Sequence, residues 1–418
     1  MLPVMIKTLT QPKDSVAKIW GVPKYKDGEP LRWMEYLLKT ECEDGTLLYN
    51  NVTSEMMLLE GVFGIGDKLP ELQPGERDTL VSHHFVVPEG YDERKSVDQL
   101  RVIYRKLHRH KYITGYTIYP TLQCNARCFY CFENSFVKQT MTTETADKVV
   151  AYILEHSGGN GIEITWFGGE PLVGKPIIDY ICRRLTENDK HFRSSMVSNA
   201  YLFDEQVVKT AVEQWHLKSI QITLDGTEEV YNRSKAYVNP VGSPYERVLK
   251  NIRLLADAGV TVAVRLNITE DNIDNLHQLA DELKVKFDGV KGVQVYGHLV
   301  YDKVGYEPVK YAEGSEDRLY LASVKLQDQL VTAGLSYGVH KLPEFKFIHC
   351  MSDGDEGITV FPDGRIGKCE NSSPDDAFGH IDGDSFPDKL QLAHEYSRHE
   401  LCDHCALYPH CVHLVVCP

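Results

Sequence analysis

The sequence predicts an α/β protein built on a parallel sheet, and three observations carry that expectation. Six short β-rich runs between residues 116 and 297 alternate with stretches of helical periodicity, the pattern that lays parallel strands side by side under helices. A tight cysteine loop, Cys124-Asn-Ala-Arg-Cys128-Phe-Tyr-Cys131, follows the first of those runs. A second group of cysteines returns after residue 345, outside the alternating region. Periodicity alone admits either an open doubly wound sheet or a barrel.

In chain order, residues 1–110 form a first domain. Within it Leu47–Glu60 reads as a hairpin, two apolar arms around the polar stretch Asn50-Asn-Val-Thr-Ser-Glu55. Ser96–His110 has helical spacing at Val97, Leu100, Val102, Ile103 and Leu107. The alternating domain covers 111–305. Its strands are expected at 116–120, 161–167, 194–198, 219–224, 261–268 and 293–297. Its helices are expected at 143–156, 176–185, 204–215, 244–258 and 272–285. Thr142 or Thr143 caps the first helix and Gly259 closes the fourth. A charged helical bridge, 306–344, leads to a cysteine-rich domain at 345–418.

Composition narrows the function. With 418 residues, 42% hydrophobic and 25% charged, the chain has material for two or three domains with sizeable cores. A net charge of −15 argues against a nucleic-acid partner held through phosphates. No apolar run reaches the length of a membrane span and no signal-peptide pattern is present, so no membrane partner and a cytoplasmic location are expected. Nine of the 11 cysteines fall in the two groups, which suits reduced thiolates on metal better than disulfides. Of the other two, Cys182 sits on the apolar face of a helix and reads as core, and Cys42 has no evident role.

Cys124, Cys128 and Cys131 stand at C-x3-C-x2-C spacing. A [4Fe–4S] cube ordinarily takes four thiolates, so three leave one iron open for chemistry. A structural zinc site wants four ligands, usually in two pairs, and this loop offers three with no nearby histidine. The loop, including the aromatic Tyr130 just before its last cysteine, resembles the signature of the radical S-adenosylmethionine (SAM) superfamily. The resemblance implies a partial (β/α)6 TIM-like barrel. It implies that the open iron chelates the amino and carboxylate groups of SAM, and that one electron then yields methionine and a 5′-deoxyadenosyl radical. In barrels the site lies at the C-terminal ends of strands, where this loop stands.

Further residues extend the likeness. Gly168-Gly169-Glu170-Pro171 resembles the GGEP motif that lines the amino-acid end of SAM, and paired glycines permit close backbone approach. Ser198 and Asn199 are placed for ribose hydroxyls. Leu224-Asp225-Gly-Thr227 is close to the S-L-D-G turn of the family. Arg265 and Asn267 project to one side of their strand. Arg265 suits the SAM carboxylate, or else a structural ion pair with Asp225 or Glu170.

The C-terminal cysteines resemble a SPASM domain. Cys350, a spacer of 13, Gly364 and then Cys369 match its first half, and Cys402-x2-Cys405-x5-Cys411 its second. Cys411 to Cys417 departs, with five intervening residues where the family has three, and no further cysteine follows. Carried over, Cys350, Cys369 and Cys417 hold one auxiliary [4Fe–4S] cluster and Cys402, Cys405 and Cys411 a second, each one thiolate short. His349, His404, His410 or His413, water or substrate fills the gap, or a single auxiliary cluster forms. Glu370 stands where sulfatase-maturing relatives keep a catalytic base. The N-terminal hairpin and helix resemble the winged-helix element with which peptide maturases take up a leader peptide as an added strand.

The resemblance thus implies an oxidoreductase acting on a ribosomally made precursor peptide. It would form a thioether or C–C crosslink or another oxidation, supplied with electrons by a small donor such as flavodoxin or ferredoxin. Sulfatase maturation to formylglycine is the alternative reaction. A zinc-stabilised binding protein is the alternative of another class, and iron against zinc content separates it.

Overall fold

The computed structural model describes residues 5–10, 20–66, 68–107, 111–300, 315–337, 356–383 and 405–406. Cys350, Cys402, Cys411 and Cys417, and the histidines 349, 404, 410 and 413, lie outside them. The described residues fall into two compact units. The first is drawn from Met1–Arg109 with Cys405 and Ala406, the second from His110–His340 and 356–383.

In the first unit, strands β1 (Met5–Thr8), β2 (Leu31–Trp33), β3 (Leu37–Cys42), β4 (Gly45–Asn50) and β5 (Met56–Glu60) precede helix α1 (Pro74–Ser82). Strand β6 (Val86–Pro88) and helix α2 (Glu93–Leu107) follow. The expected hairpin is β4–β5. Asn50 shapes its turn by accepting the N–H groups of Val52 and Thr53 on its side-chain oxygen at 2.8 and 3.1 Å, as Asx turns do. The antiparallel sheet runs β1-β5-β4-β3 and β2 pairs with β6. Among the described residues the outer edge of β3 pairs with no strand. Tyr36, Leu48, Met57, Leu59, Phe85 and Val97 form the core. On α2, Val97 and Leu100 are buried as the periodicity predicts, but Val102 and Ile103 are 51% and 43% exposed. They line a groove of about 970 Å³ with Arg32, Glu35, Tyr91 and Lys95.

In the second unit, six parallel strands stand in sequence order: β7 (Gly115–Thr121), β8 (Ile162–Gly168), β9 (Phe192–Ser198), β10 (Leu217–Leu224), β11 (Thr261–Ile268) and β12 (Val293–Leu299). Each expected strand is present, most a residue or two longer. Between them come α3 (Thr143–His156), α4 (Lys175–Glu187), α5 (Glu205–Glu213), α6 (Glu228–Lys235), α7 (Pro244–Asp257) and α8 (Ile273–Lys286). Thr142 caps α3 by accepting the Thr145 N–H at 3.1 Å, and Gly259 follows α7 with φ +83°. Helix α9 (Ser315–Thr332) lies within the expected bridge. Two parts of this unit lay outside the sequence expectation. One is α6. The other is the C-terminal strand β13 (Gly357–Val360), which pairs in parallel with β7 and continues into β14 (Arg365–Gly367) and β15 (Gly379–His380).

Parallel strands covered on both faces are usually apolar throughout. Here the faces differ. Ile164, Trp166, Met196, Ile220, Ile222, Val262 and Val264 are buried in the main core. The alternate residues are polar: Thr165 hydrogen-bonds Ser195 at 3.0 Å and the Tyr296 hydroxyl donates to Gln221 at 2.7 Å, with Arg265 on the same face. A polar concave face beside an apolar, helix-covered one is the architecture of a ligand-binding partial barrel.

Candidate functional site

The site is assembled at the C-terminal ends of the strands. Strand β7 delivers the chain to Cys124, and β8 ends in Gly168-Gly169-Glu170, which folds back on the start of the cysteine loop. Gly169 N–H donates to Thr121 O at 3.2 Å and Glu170 N–H to Gln123 O at 2.9 Å. The glycines are required by that approach. A Cβ on Gly168, already at φ +118°, would stand 2.4 Å from Thr121 O, and one on Gly169 2.4 Å from Gln123 O.

Glu170 is fully buried and caps a short turn of helix. Its carboxylate accepts the Leu172 N–H at 3.1 Å, the Asn199 N–H at 2.9 Å and the Ser198 hydroxyl at 2.9 Å. Burial pushes its pKa up and those three donors oppose the shift. Ser198 is thereby engaged with Glu170, and the Asn199 amide donates to Asn125 Oδ1 at 2.7 Å.

Tyr130, Asp225 and Asn267 come together in one buried network. The Tyr130 hydroxyl donates to the Asp225 carboxylate at 2.8–2.9 Å and Asn267 Nδ2 donates to Asp225 Oδ1 at 3.0 Å. The Asn272 amide closes it from below, donating to the main-chain oxygen of Asp225 at 2.9 Å. Lys235, which the sequence reading did not single out, adds the positive charge: its ammonium lies 3.2 Å from Asp225 Oδ2. Beside the network is a pocket of about 120 Å³ lined by Phe129, Tyr130, Asp225, Asn267, Thr269 and Asn272. Arg265 forms no ion pair with Asp225 or Glu170 among the described residues. Its Nε is buried without a partner, and burial lowers its pKa.

Three features of this site fit an iron–sulfur cluster with a polar organic ligand. Backbone N–H groups point at cysteine sulfurs, as suits thiolates that carry charge. Ala126 N–H donates to Cys124 Sγ at 3.4 Å, Glu133 N–H donates to Cys131 Sγ, and Asn371 N–H donates to Cys369 Sγ at 3.3 Å. Each donor lies two residues after its cysteine. Next, buried polar atoms stand unpaired around the loop: Asn125 Nδ2, Arg265 Nε and Asn267 Oδ1. Such atoms are costly unless a ligand meets them. Third, among the described residues no three His, Cys, Asp or Glu side chains converge tightly enough for a single metal ion. Burial, with the nearby Glu170 carboxylate, pushes the Cys124 thiol up to about 12, so a bound metal must replace its proton.

Toward the C-terminal segment, the Tyr119 hydroxyl donates to Glu370 O at 2.5 Å and the Cys369 thiol lies 3.9 Å from the Glu370 carboxylate. Cys182 is buried in the core as expected, and Cys42 is exposed. Cys405 packs against the core of the first unit. Also unforeseen is Glu133, a buried carboxylate with no partner for either oxygen among the described residues, which burial pushes up to about 7. Its position in the loop, two residues after Cys131, was the one signal the sequence held.

Residues 118–284 match the Radical SAM superfamily model. The antilisterial bacteriocin subtilosin biosynthesis protein AlbA of Bacillus subtilis is 22% identical over 322 residues, 70% of this chain and 64% of AlbA. The chain thus spans less than two thirds of that relative's length. Among solved structures, native anSMEcpe with bound AdoMet superposes with a TM-score of 0.55 at 18% identity, over 71% of this chain and 88% of that one. Streptococcus suis SuiB bound to its precursor peptide SuiA gives 0.53 at 13% identity, over 91% and 94%. These likenesses establish the fold. The cysteine loop and the glycine turn both lie inside the segment that matches the Radical SAM superfamily model, 118–284.

Proposed function

We propose that the chain is a radical SAM enzyme that modifies a ribosomally made peptide, forming a crosslink or another oxidation. The observation that supports it most is the coincidence, at one end of one sheet, of three sulfurs in a loop and three unpaired buried polar atoms around it. The similarity to a bacteriocin biosynthesis protein and to an enzyme solved with its precursor peptide supports the peptide as substrate.

In this reading Cys124, Cys128 and Cys131 hold a [4Fe–4S] cluster. When bound, the cluster and SAM supply a 5′-deoxyadenosyl radical that abstracts hydrogen from the peptide. The chain's own residues position and shield. Gly168 and Gly169 let the backbone come close, Arg265 offers its guanidinium to a carboxylate, and Asn125 and Asn267 offer their unpaired amide atoms. Ser198 and Asn199 shape the floor beside them through Glu170 and Asn125. The apolar core behind the sheet keeps bulk water from the reacting end. Cys369 takes part in one of one or two auxiliary [4Fe–4S] clusters, with Cys350 and Cys417 as partners, and Cys402, Cys405 and Cys411 serve the other. Glu370, beside Cys369, accepts the substrate proton. The first unit receives the leader peptide as a strand added to the outer edge of β3, which pairs with no strand among the described residues. A flavodoxin or ferredoxin brings the electrons.

Anaerobic reconstitution with iron and sulfide, followed by incubation with SAM and a reductant, tests the reading. Release of 5′-deoxyadenosine is expected from the wild type and not from Cys124→Ala. With a short peptide encoded beside the gene, the product is expected to weigh two hydrogens less. Wild-type protein that binds zinc, stays colourless and releases no 5′-deoxyadenosine sinks the proposal.

A further inference from the structure

A lysine in the last turn of a helix ordinarily reaches for water, where its charge complements the helix dipole. Lys235 ends α6 and does the opposite: its side chain is 4% exposed and turns inward. The ammonium donates to the Tyr130 hydroxyl at 2.8 Å, lies 3.2 Å from Asp225 Oδ2, and sits 5.4 Å from the Tyr130 ring centre and 5.8 Å from that of Tyr231. Burial alone would strip its proton, but Asp225 and Tyr130 hold the pKa well above the ordinary lysine value.

The main chain here grips the same loop. Lys235 O accepts the Arg127 N–H at 2.9 Å and lies 4.0 Å from Cys128 Sγ, and Val238 N–H donates to Asn125 O at 2.8 Å. The end of α6 and the residues just after it thus touch the cysteine loop at four positions, 125, 127, 128 and 130.

A buried ion pair is a poor source of stability, since well-packed apolar side chains of similar size often do as well or better. What such a network supplies is direction. Tyr130 and Asn267 both donate to Asp225, Lys235 donates to the phenol oxygen and pairs with the same carboxylate, and the phenol has one orientation that satisfies all of them. Building on the radical SAM reading, we propose that Lys235 is a positioning residue. It locks the Tyr130 hydroxyl onto Asp225 and so fixes the cysteine loop and the aromatic wall beside it for SAM. The residue also leaves one fixed positive charge next to the thiols.

The test uses the full chain, anaerobically reconstituted, with Lys235→Met, Lys235→Arg and Tyr130→Phe. The readouts are iron and sulfide content, affinity for S-adenosylhomocysteine, the change in the reduced-cluster EPR spectrum on adding SAM, and midpoint potential. Lys235→Met is expected to keep its iron yet bind S-adenosylhomocysteine at least tenfold more weakly, with a blunted EPR response. Its potential should also fall, because removing a nearby cation favours the oxidised cluster. Lys235→Arg should restore most of the affinity and all of the shift in potential. Tyr130→Phe should weaken binding like Lys235→Met while leaving the potential in place, since the charge remains. The double variant should be no worse than Lys235→Met alone.

Wild-type affinity, EPR response and potential in Lys235→Met overturn the proposal. If Lys235→Met does not fold, wild-type behaviour of Tyr130→Phe overturns it instead. Failure of the wild type to load iron or respond to SAM is a different result, and strikes the superfamily reading of the loop rather than Lys235 alone.

Discussion

Burial decides the chemistry of individual residues in both units. Glu93 at the start of α2 has a side chain only 1% exposed. It pairs with Arg32 at 2.5 Å and accepts the Glu35 N–H at 2.7 Å. Burial outweighs both and pushes it up to about 7, from 4.5. A carboxyl that binds its proton more tightly folded than unfolded stabilises the fold below the unfolded pKa. That contribution fades as pH rises toward the folded one. The first unit should therefore lose up to roughly 3 kcal/mol between pH 4.5 and 8 from this residue. Glu93→Gln should flatten the dependence, read as urea midpoints across that range; an unchanged slope rules the assignment out. Residue-scale features were the least legible in the sequence. Lys235 reads there as an ordinary solvated cation at a helix end. Its partners lie 105 and 10 positions away, and no local pattern announces a network closed through the fold. Glu133 is similar: burial, a property of the whole packing, makes it unusual.

Elements were far more legible, because period-two and 3.6-residue patterns act locally. Strands β7–β12 and helices α3, α4, α5, α7 and α8 lie where periodicity places them. Helix α6 was missed because it is only eight residues long and strongly polar, burying Tyr231, Ser234 and Lys235 in place of an aliphatic stripe. The glycine turn after β8 shows how one element fixes another. The strand end packs so tightly on 121–123 that a methyl group has no room. Gly169→Ala should cost about 1–3 kcal/mol, the usual range for overpacking, and should lower iron retention by the cysteine loop. Thermal melts and iron assays check both. Retained iron with an unaltered melting temperature shows that the turn does not brace the loop.

At the scale of the molecule, periodicity and cysteine spacing gave the fold class and the place of the candidate site. They did not give the way the C-terminal segment joins the sheet. Strand β13 is too short for its pattern to stand out, and its partner β7 is about 240 residues away. That pairing hangs Cys369 from the same sheet that presents Cys124. If the two sites are independent metal stations on one frame, Cys369→Ser should lower total iron while 5′-deoxyadenosine release in the absence of peptide persists. The triple Cys124/Cys128/Cys131→Ala variant should keep the remaining iron and lose the release. Equal loss of both properties in Cys369→Ser argues against separate stations. Among the described residues no helix is long and apolar enough to cross a membrane.

The parallel pairing of Gly115–Ile118 with Gly357–Val360 also sets the order of events at birth. During translation the cysteine loop leaves the ribosome more than 200 residues before β13 exists, and contacts so distant in sequence form late. For that interval the three thiols hang from an unfinished sheet, open to oxidants and stray metals. If the loop holds a cluster as proposed, loading is expected to follow completion of the chain.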